Sequence, residues 1–146
     1  MSVSVEVRTG SWAQLGKAAS AIRHEVFVDE QHVPVELELD AFDAVALHAL
    51  ACDGGGYTAL GTGRLLPDGH IGRMAVRRAA RGGGVGSLLL LALMQQAQQR
   101  GDPAVVLHAQ LAARGFYERH GFTPEGEVFM DAGIEHIAMR RSFSPR

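Results

Sequence analysis

Residues 72–91 read GRMAVRRAARGGGVGSLLLL, and the character of the chain changes three times within them. An apolar, strand-like run ends at Val76. A basic segment with Arg77, Arg78 and Arg81 follows. Then Gly82, Gly83, Gly84 and Gly86 lead directly into a long apolar helix pattern. A glycine-rich turn that feeds a helix N-terminus aims several unpaired backbone N–H groups one way, and with the positive end of the helix dipole they suit a phosphate. Glycine allows close approach of the backbone to the anion, and the three arginines add charge-assisted donors.

The glycine pattern narrows the ligand. No Gly-Lys-Ser/Thr follows the cluster, so a Walker A loop is excluded. The dinucleotide fingerprint started at Gly82 fails at Ser87, and no acidic residue ends the next strand-like run to hold a ribose. The hexapeptide Arg-x-x-Gly-x-Gly is present as Arg81-Gly82-Gly83-Gly84-Val85-Gly86. Taken by itself it also fits a plain strand-to-helix turn.

Working outward, His70–Val76 reads as a strand and 85–100 as a helix that is apolar almost all round through Met94. Gly101 stops the helix, and 104–109 is a continuous apolar run, as in a buried strand reached by a crossover. A short helix over 111–120 ends at Gly121. Segments 128–130 and 134–140 bracket Asp131-Ala132-Gly133 as a hairpin. Upstream, Val3, Val5 and Val7 alternate as a first strand, Ser11 is a helix cap, and apolar spacing predicts a helix over 12–30. Val33-Pro34 breaks that pattern. An acidic connection, 35–45, carries Glu36, Glu38, Asp40 and Asp43. Strands at 46–52 and 57–66 flank an Asp53-Gly54-Gly55-Gly56 turn. The order β-α-β-β-β-α-β-α-β-β describes an α+β domain over 1–146 with a mixed sheet.

At 146 residues the chain is long enough for a substantial core, and its net charge of −2 makes no case for nucleic acid or a membrane surface. The longest apolar run, 88–94, is too short to span a bilayer, and the N-terminus lacks the basic and apolar regions of a signal peptide. One cysteine, Cys52 in an apolar run, excludes an internal disulfide and fits a reducing cytoplasm. The seven histidines include no His-Glu-x-x-His and no close pair at ligand spacing, so no metal is expected. The tail 142–146 is expected to fray.

The second deciding stretch is residues 108–122, HAQLAARGFYERHGF. It resembles the Ala-x-x-Phe-Tyr-x-x-x-Gly-Phe motif of the GNAT acetyltransferases through Ala113, Phe116, Tyr117, Gly121 and Phe122. The Arg81–Gly86 hexapeptide resembles the acetyl-CoA loop of the same family, in the right order and about thirty residues upstream. Further segments resemble the ElaA-like or YjcF-like branch: 22–31 (IRHEVFVDEQ), 107–110 (LHAQ) and 133–137 (GIEHI). The resemblance implies the acyl-CoA N-acyltransferase fold, about seven strands and four helices in the order β-α-α-β-β-β-α-β-α-β-β.

It also implies a site. Pantetheine would enter between the strands 70–76 and 104–109, bound by Met74, Ala75 and Val76, with the pyrophosphate on the loop from Arg81 through Gly82, Gly83, Gly84, Val85 and Gly86 to Ser87. Arg77 or Arg78 would reach the outer phosphates. Gln110 stands where many relatives carry a cofactor-contacting Asn. An amine would attack the thioester directly in a ternary complex, with a strand amide near Val76 facing the oxyanion. Tyr117 matches the family's acid for the leaving thiolate. The expected general base is Glu30 or, after it, His108; His136 is a third titratable group nearby. The acidic residues at 36–43 would form either a negative rim that concentrates a protonated amine or a solvated loop. The partner is then a small-molecule or peptide amine, and homodimers are frequent in such a family. A CoA-binding sensor without turnover, or a domain that binds another nucleotide, would use the same loop.

Overall fold

The computed structural model describes residues 4–55 and 58–143. The expected strand residue Val3, the turn residue Gly56, Tyr57 and the last three residues of the tail lie outside them. Strand β1 (Val5–Gly10) runs into helix α1 (Trp12–Arg23). Ser11 and Gln14 cap it reciprocally, with Gln14 N donating to Ser11 Oγ at 3.3 Å and Ser11 N to Gln14 Oε1 at 2.9 Å.

The single helix expected over 12–30 is divided. At His24 it widens into a π-helical segment, His24–Glu30, continued by Gln31 N donating to Val26 O. Apolar spacing marks the buried face but not the winding, so this change has no sequence signal. Widened helical turns occur often at functional sites. The acidic connection forms a one-turn helix α2 (Val35–Glu38) and a 3₁₀ turn (Ala41–Ala44).

Strands β2 (Leu47–Asp53), β3 (Ala59–Leu65) and β4 (His70–Val76) form the expected antiparallel meander, and β1 pairs on β2. Helix α3 (Val85–Gln99) crosses to β5 (Ala104–Gln110). A 3₁₀ turn (Leu111–Ala113) and helix α4 (Arg114–Arg119) replace the one helix expected at 111–120. Strands β6 (Thr123–Asp131) and β7 (Ile134–Ser142) are longer than expected. Pro124 and Gly126 hid the start of β6, but β6 is an edge strand with a register shift between Glu125 and Phe129, where both residues are tolerated. Ser142, expected to fray, pairs with Ala104.

The seven strands among the described residues form one open sheet in the order β1-β2-β3-β4-β5-β7-β6, in which β4 and β5 are the parallel pair. Helix α3 buries Val85, Leu89, Leu90, Leu93, Met94 and Ala97 against this sheet. Gly63 on β3 makes the approach possible: a Cβ there would sit 2.5 Å from Met74 Sδ and 3.0 Å from Leu93 Cδ1. On a second apolar cluster, Ile22 and Val26 meet Leu50, Cys52 and Ala75, which makes Cys52 a packing residue. No helix among the described residues is long and apolar enough to cross a membrane.

Candidate active site

Strands β4 and β5 pair only through His70 with Val106 and Ile71 with Leu107. Beyond these residues the ladder stops, and the sheet opens. A bulge in β4 lies in this open part: Gly72 pairs with Arg64 and Ala75 with Thr62, so Arg73 and Met74 together oppose Gly63. Arg73 takes a left-handed conformation, φ 50°, to make the bulge. Arg77 N donates to Leu60 O, so by the antiparallel alternation the main chain of Ala75 faces β3. The main-chain groups of Met74 and Val76 therefore face the gap. Nothing in the sequence marked the bulge.

The gap runs toward the glycine loop. Gly82 and Gly84 have φ of 84° and 85°, and Gly84 directly precedes α3, whose first N–H groups have no side-chain cap among the described residues. Positive φ is the reason for glycine there, since a Cβ at either position would meet open space. A hollow of about 1000 Å³ adjoins the loop, lined by Leu60, Arg77, Arg78, Arg81, Gly83 and Val85 among others.

Several expected site residues already have partners. Arg81 Nε donates to Val76 O at 2.9 Å, and its two terminal nitrogens hold Glu30 at 2.6 and 2.8 Å. Arg78 approaches Glu30 at 3.6 Å. The hydrogen bond from Arg81 holds the Glu30 carboxyl below its usual range. Arg77 pairs with Glu25 at 3.2 Å and donates to Ala59 O at 3.1 Å. Ser87 Oγ lies 2.9 Å from His120 Nε2.

On the other side the gap opens into a cleft of about 450 Å³, whose walls include Gln31, Met74, His108, Gln110, Tyr117 and His136. Tyr117 and His108 thus share one cavity, whereas Glu30 is not among its lining residues. The Tyr117 ring is buried between Phe116 and Phe122, and burial pushes the phenol up to about 12. Its hydroxyl has no hydrogen-bond partner among the described residues. His108 meets Phe129 edge-on at 5.2 Å and His70 at 5.8 Å. Burial, then the charge of His70, lowers its pKa, against the pull of Asp131. His136 stacks on the same Phe129, with Nδ1 2.8 Å from Ile134 O. Gln110 at the end of β5 donates to Gln31 Oε1 at 2.8 Å, joining β5 to the residue after the π-helical segment.

The acidic stretch is neither a negative rim nor a solvated loop. Arg23, nearly fully buried, donates through Nε to Glu38 and grips Asp43 at 2.8 and 3.1 Å. Arg64 bridges Asp43 at 2.9 Å and Asp40 at 2.7 and 2.9 Å, and Arg73 reaches Asp40 at 3.1 Å. Burial pushes the Asp43 carboxyl up, but Arg23 and Arg64 outweigh it and hold it low. Asp40 is held low chiefly by Arg64. Three arginines therefore neutralise Glu38, Asp40 and Asp43, leaving Glu36 exposed to solvent. Because these arginines come from α1, β3 and β4, no local pattern announced them. Among the described residues no cluster of three or more His, Cys, Asp or Glu side chains could hold a metal.

Known proteins resemble this chain over nearly its whole length. The acetyltransferase (GNAT) domain family matches residues 13–143. The chain is 37% identical over 129 residues to a Bacillus subtilis (strain 168) protein named as the uncharacterized N-acetyltransferase YjcF, covering 86% of this chain and 91% of that one. Among solved structures, Escherichia coli ElaA superposes with a TM-score of 0.84 at 28% identity, covering 94% of this chain and 99% of that one. An acyl-CoA N-acyltransferase from Pseudomonas aeruginosa superposes with a TM-score of 0.83 at 34% identity, covering 95% of this chain and all of that one, 100%. With the sheet order, the split and the match over nearly its whole length in agreement, the chain belongs to the GNAT family of acetyltransferases, which transfer acyl groups from CoA.

Proposed function

We propose that the protein is an acetyl-CoA-dependent N-acetyltransferase that acetylates a primary amine of a small molecule or peptide by direct attack in a ternary complex. The observation that carries this reading is the open β4 edge, which leads from the Tyr117 cleft to the positive-φ glycines ahead of α3. The donor fits these residues. Main-chain groups of Met74 and Val76 face the gap as an added strand requires, with Ala75 between them anchored to β3. The N–H groups from Gly82 to Ser87 would hold the pyrophosphate at the helix start, and Arg81 would orient that loop through Val76. Gln110, tied to Gln31, would close the cleft beside the acyl end.

When bound there, acetyl-CoA supplies a thioester whose acyl carbon bonds to the amine nitrogen as its bond to sulfur breaks. Tyr117, neutral throughout the working pH range, donates its proton to the departing thiolate. His108, neutral at pH 7 and lining the same cleft, accepts the amine's proton directly or through water. We place His108 ahead of Glu30 in that role, because the arginine-bound carboxylate of Glu30 is a weaker base outside the cleft lining. A cytoplasmic setting, where acyl-CoA thioesters are made, follows from this reading.

The test is a thermal melt with acetyl-CoA, CoA, ATP and NAD in parallel, followed by an assay of CoA release with amines. A ligand at a hundred times its dissociation constant adds about 2.7 kcal/mol. Stabilisation by acetyl-CoA and CoA, with amine-dependent CoA release, supports the proposal. Stabilisation without release by any amine favours a sensor, and a shift with ATP or NAD alone removes CoA from the site.

A further inference from the structure

The cleft differs in character from one wall to the other. On the wall built by α2 and the 3₁₀ turn, Leu37 and Phe42 are each 56% exposed, and Phe27, Val33 and Leu66 continue the apolar lining inward. The acids on that wall are not available to a ligand: Glu38 is engaged by Arg23, and Asp40 by Arg64 and Arg73. On the opposite wall Asp131, at the end of β6, lines the cleft and has no ion pair among the described residues. His108 and His136 line the cleft beside it, both set by the Phe129 ring. The cavity thus offers one carboxylate facing several apolar side chains, in a volume of about 450 Å³ suited to a compact ligand.

We infer that the acceptor is a monoamine with an apolar or aromatic body, its ammonium received at Asp131 next to His108 and its body lying on Leu37 and Phe42. This rests on the acetyl-transfer reading and narrows it. A polyamine or aminoglycoside would bring several positive charges to a cavity with one available carboxylate, and would desolvate them against Leu37 and Phe42. A monocation with a hydrophobic tail satisfies Asp131 and removes exposed apolar surface from water. His108 at the ammonium end is then placed to take the proton that must leave before nitrogen attacks, and the second N–H proton, released as the amide forms, replaces the one that Tyr117 gives to the thiolate.

The experiment compares 2-phenylethylamine, ethylamine, spermidine and kanamycin in CoA-release kinetics with the full chain. The expected kcat/KM for 2-phenylethylamine exceeds that for spermidine and for kanamycin by at least about tenfold, the scale of one well-matched contact. Phe42→Ala should raise KM for 2-phenylethylamine several-fold and leave that for ethylamine unchanged. Asp131→Asn should raise KM for both monoamines and leave that for acetyl-CoA unchanged. A preference for spermidine or kanamycin overturns the inference while acetyl transfer stands. If no amine is acetylated, binding of 2-phenylethylammonium followed by saturation-transfer NMR still decides. Binding lost in Asp131→Asn supports the site, and equal or no binding in wild type and variant overturns it.

Discussion

Arg81 holds Glu30 with a two-pronged ion pair, 2.6 Å from Nη1 to Oε2 and 2.8 Å from Nη2 to Oε1. The pair joins the end of the π-helical segment to the start of the glycine loop, while Arg81 Nε reaches the last residue of β4. It makes the motif arginine and the motif-adjacent acid partners of each other. Glu30→Gln should therefore change kcat by less than about threefold, whereas loss of a general base costs roughly 10²–10⁴. Steady-state kinetics against pH check this. A hundredfold fall with loss of the acid limb would return Glu30 to the role of base.

Tyr117 is buried and its phenol stays protonated to about pH 12. Tyr117→Phe keeps the ring packing against Phe116 and Phe122 and removes only the proton donor. Turnover should fall by roughly 10² while KM for acetyl-CoA stays within about twofold. Unchanged turnover with a good acceptor would remove the acid assignment.

His108 has its pKa lowered by burial and by His70. A base must be deprotonated, so a lowered pKa keeps it active to lower pH. The acid limb of kcat should lie below 6.5, and His108→Gln should abolish that limb. A limb unmoved in the variant would assign the proton to another group.

Arg23 neutralises two buried acids at once. Arg23→Met leaves Glu38 with Arg73 at 4.0 Å as its remaining arginine partner and Asp43 with Arg64, so unfolding free energy in urea should drop by about 3–5 kcal/mol. Arg23→Lys keeps the charge but loses the planar fork, and should fall between the two. A loss under about 1 kcal/mol would mean that the loop over 35–45 does not depend on this network.

His48 is 1% exposed, beside Trp12, with Nε2 2.9 Å from Asp43 O. Burial lowers its pKa, so below pH 6.5 the unfolded chain takes up a proton that the folded chain refuses. Its stabilising effect is complete above 6.5 and is lost as pH falls from there toward the lower folded value. His108 and His120 share this sign but are less buried. Melting temperature should decline between pH 7 and 5, and His48→Gln should flatten that decline. An equally steep decline in the variant would assign the effect elsewhere.

What was legible in the sequence was local. The His70–Val76 strand and the α3 start at Val85 fall where apolar runs and glycines put them, because period and punctuation are properties of neighbouring residues. The two motifs likewise pointed to the family, since each lies within fifteen residues or fewer of chain. The winding of His24–Glu30 was not legible, because π and α turns bury similar spacings. The start of β6 was missed because Pro124 and Gly126 look like loop residues until the edge position of the strand is known.

The sequence by itself determined the α+β class and the glycine turn ahead of α3, carried by contiguous patterns of backbone freedom and apolar periodicity, while two short motifs carried the family resemblance. Only the tertiary structure decided which charges are available. Arg23, Arg64 and Arg73 meet the acids of 38–43 across up to 35 residues of chain, and Glu30 meets Arg81 across 51. Ion pairing depends on distance and burial in space, so a run of acids that reads as a negative surface along the chain is neutral in the folded protein, and Asp131 is left to face the cleft.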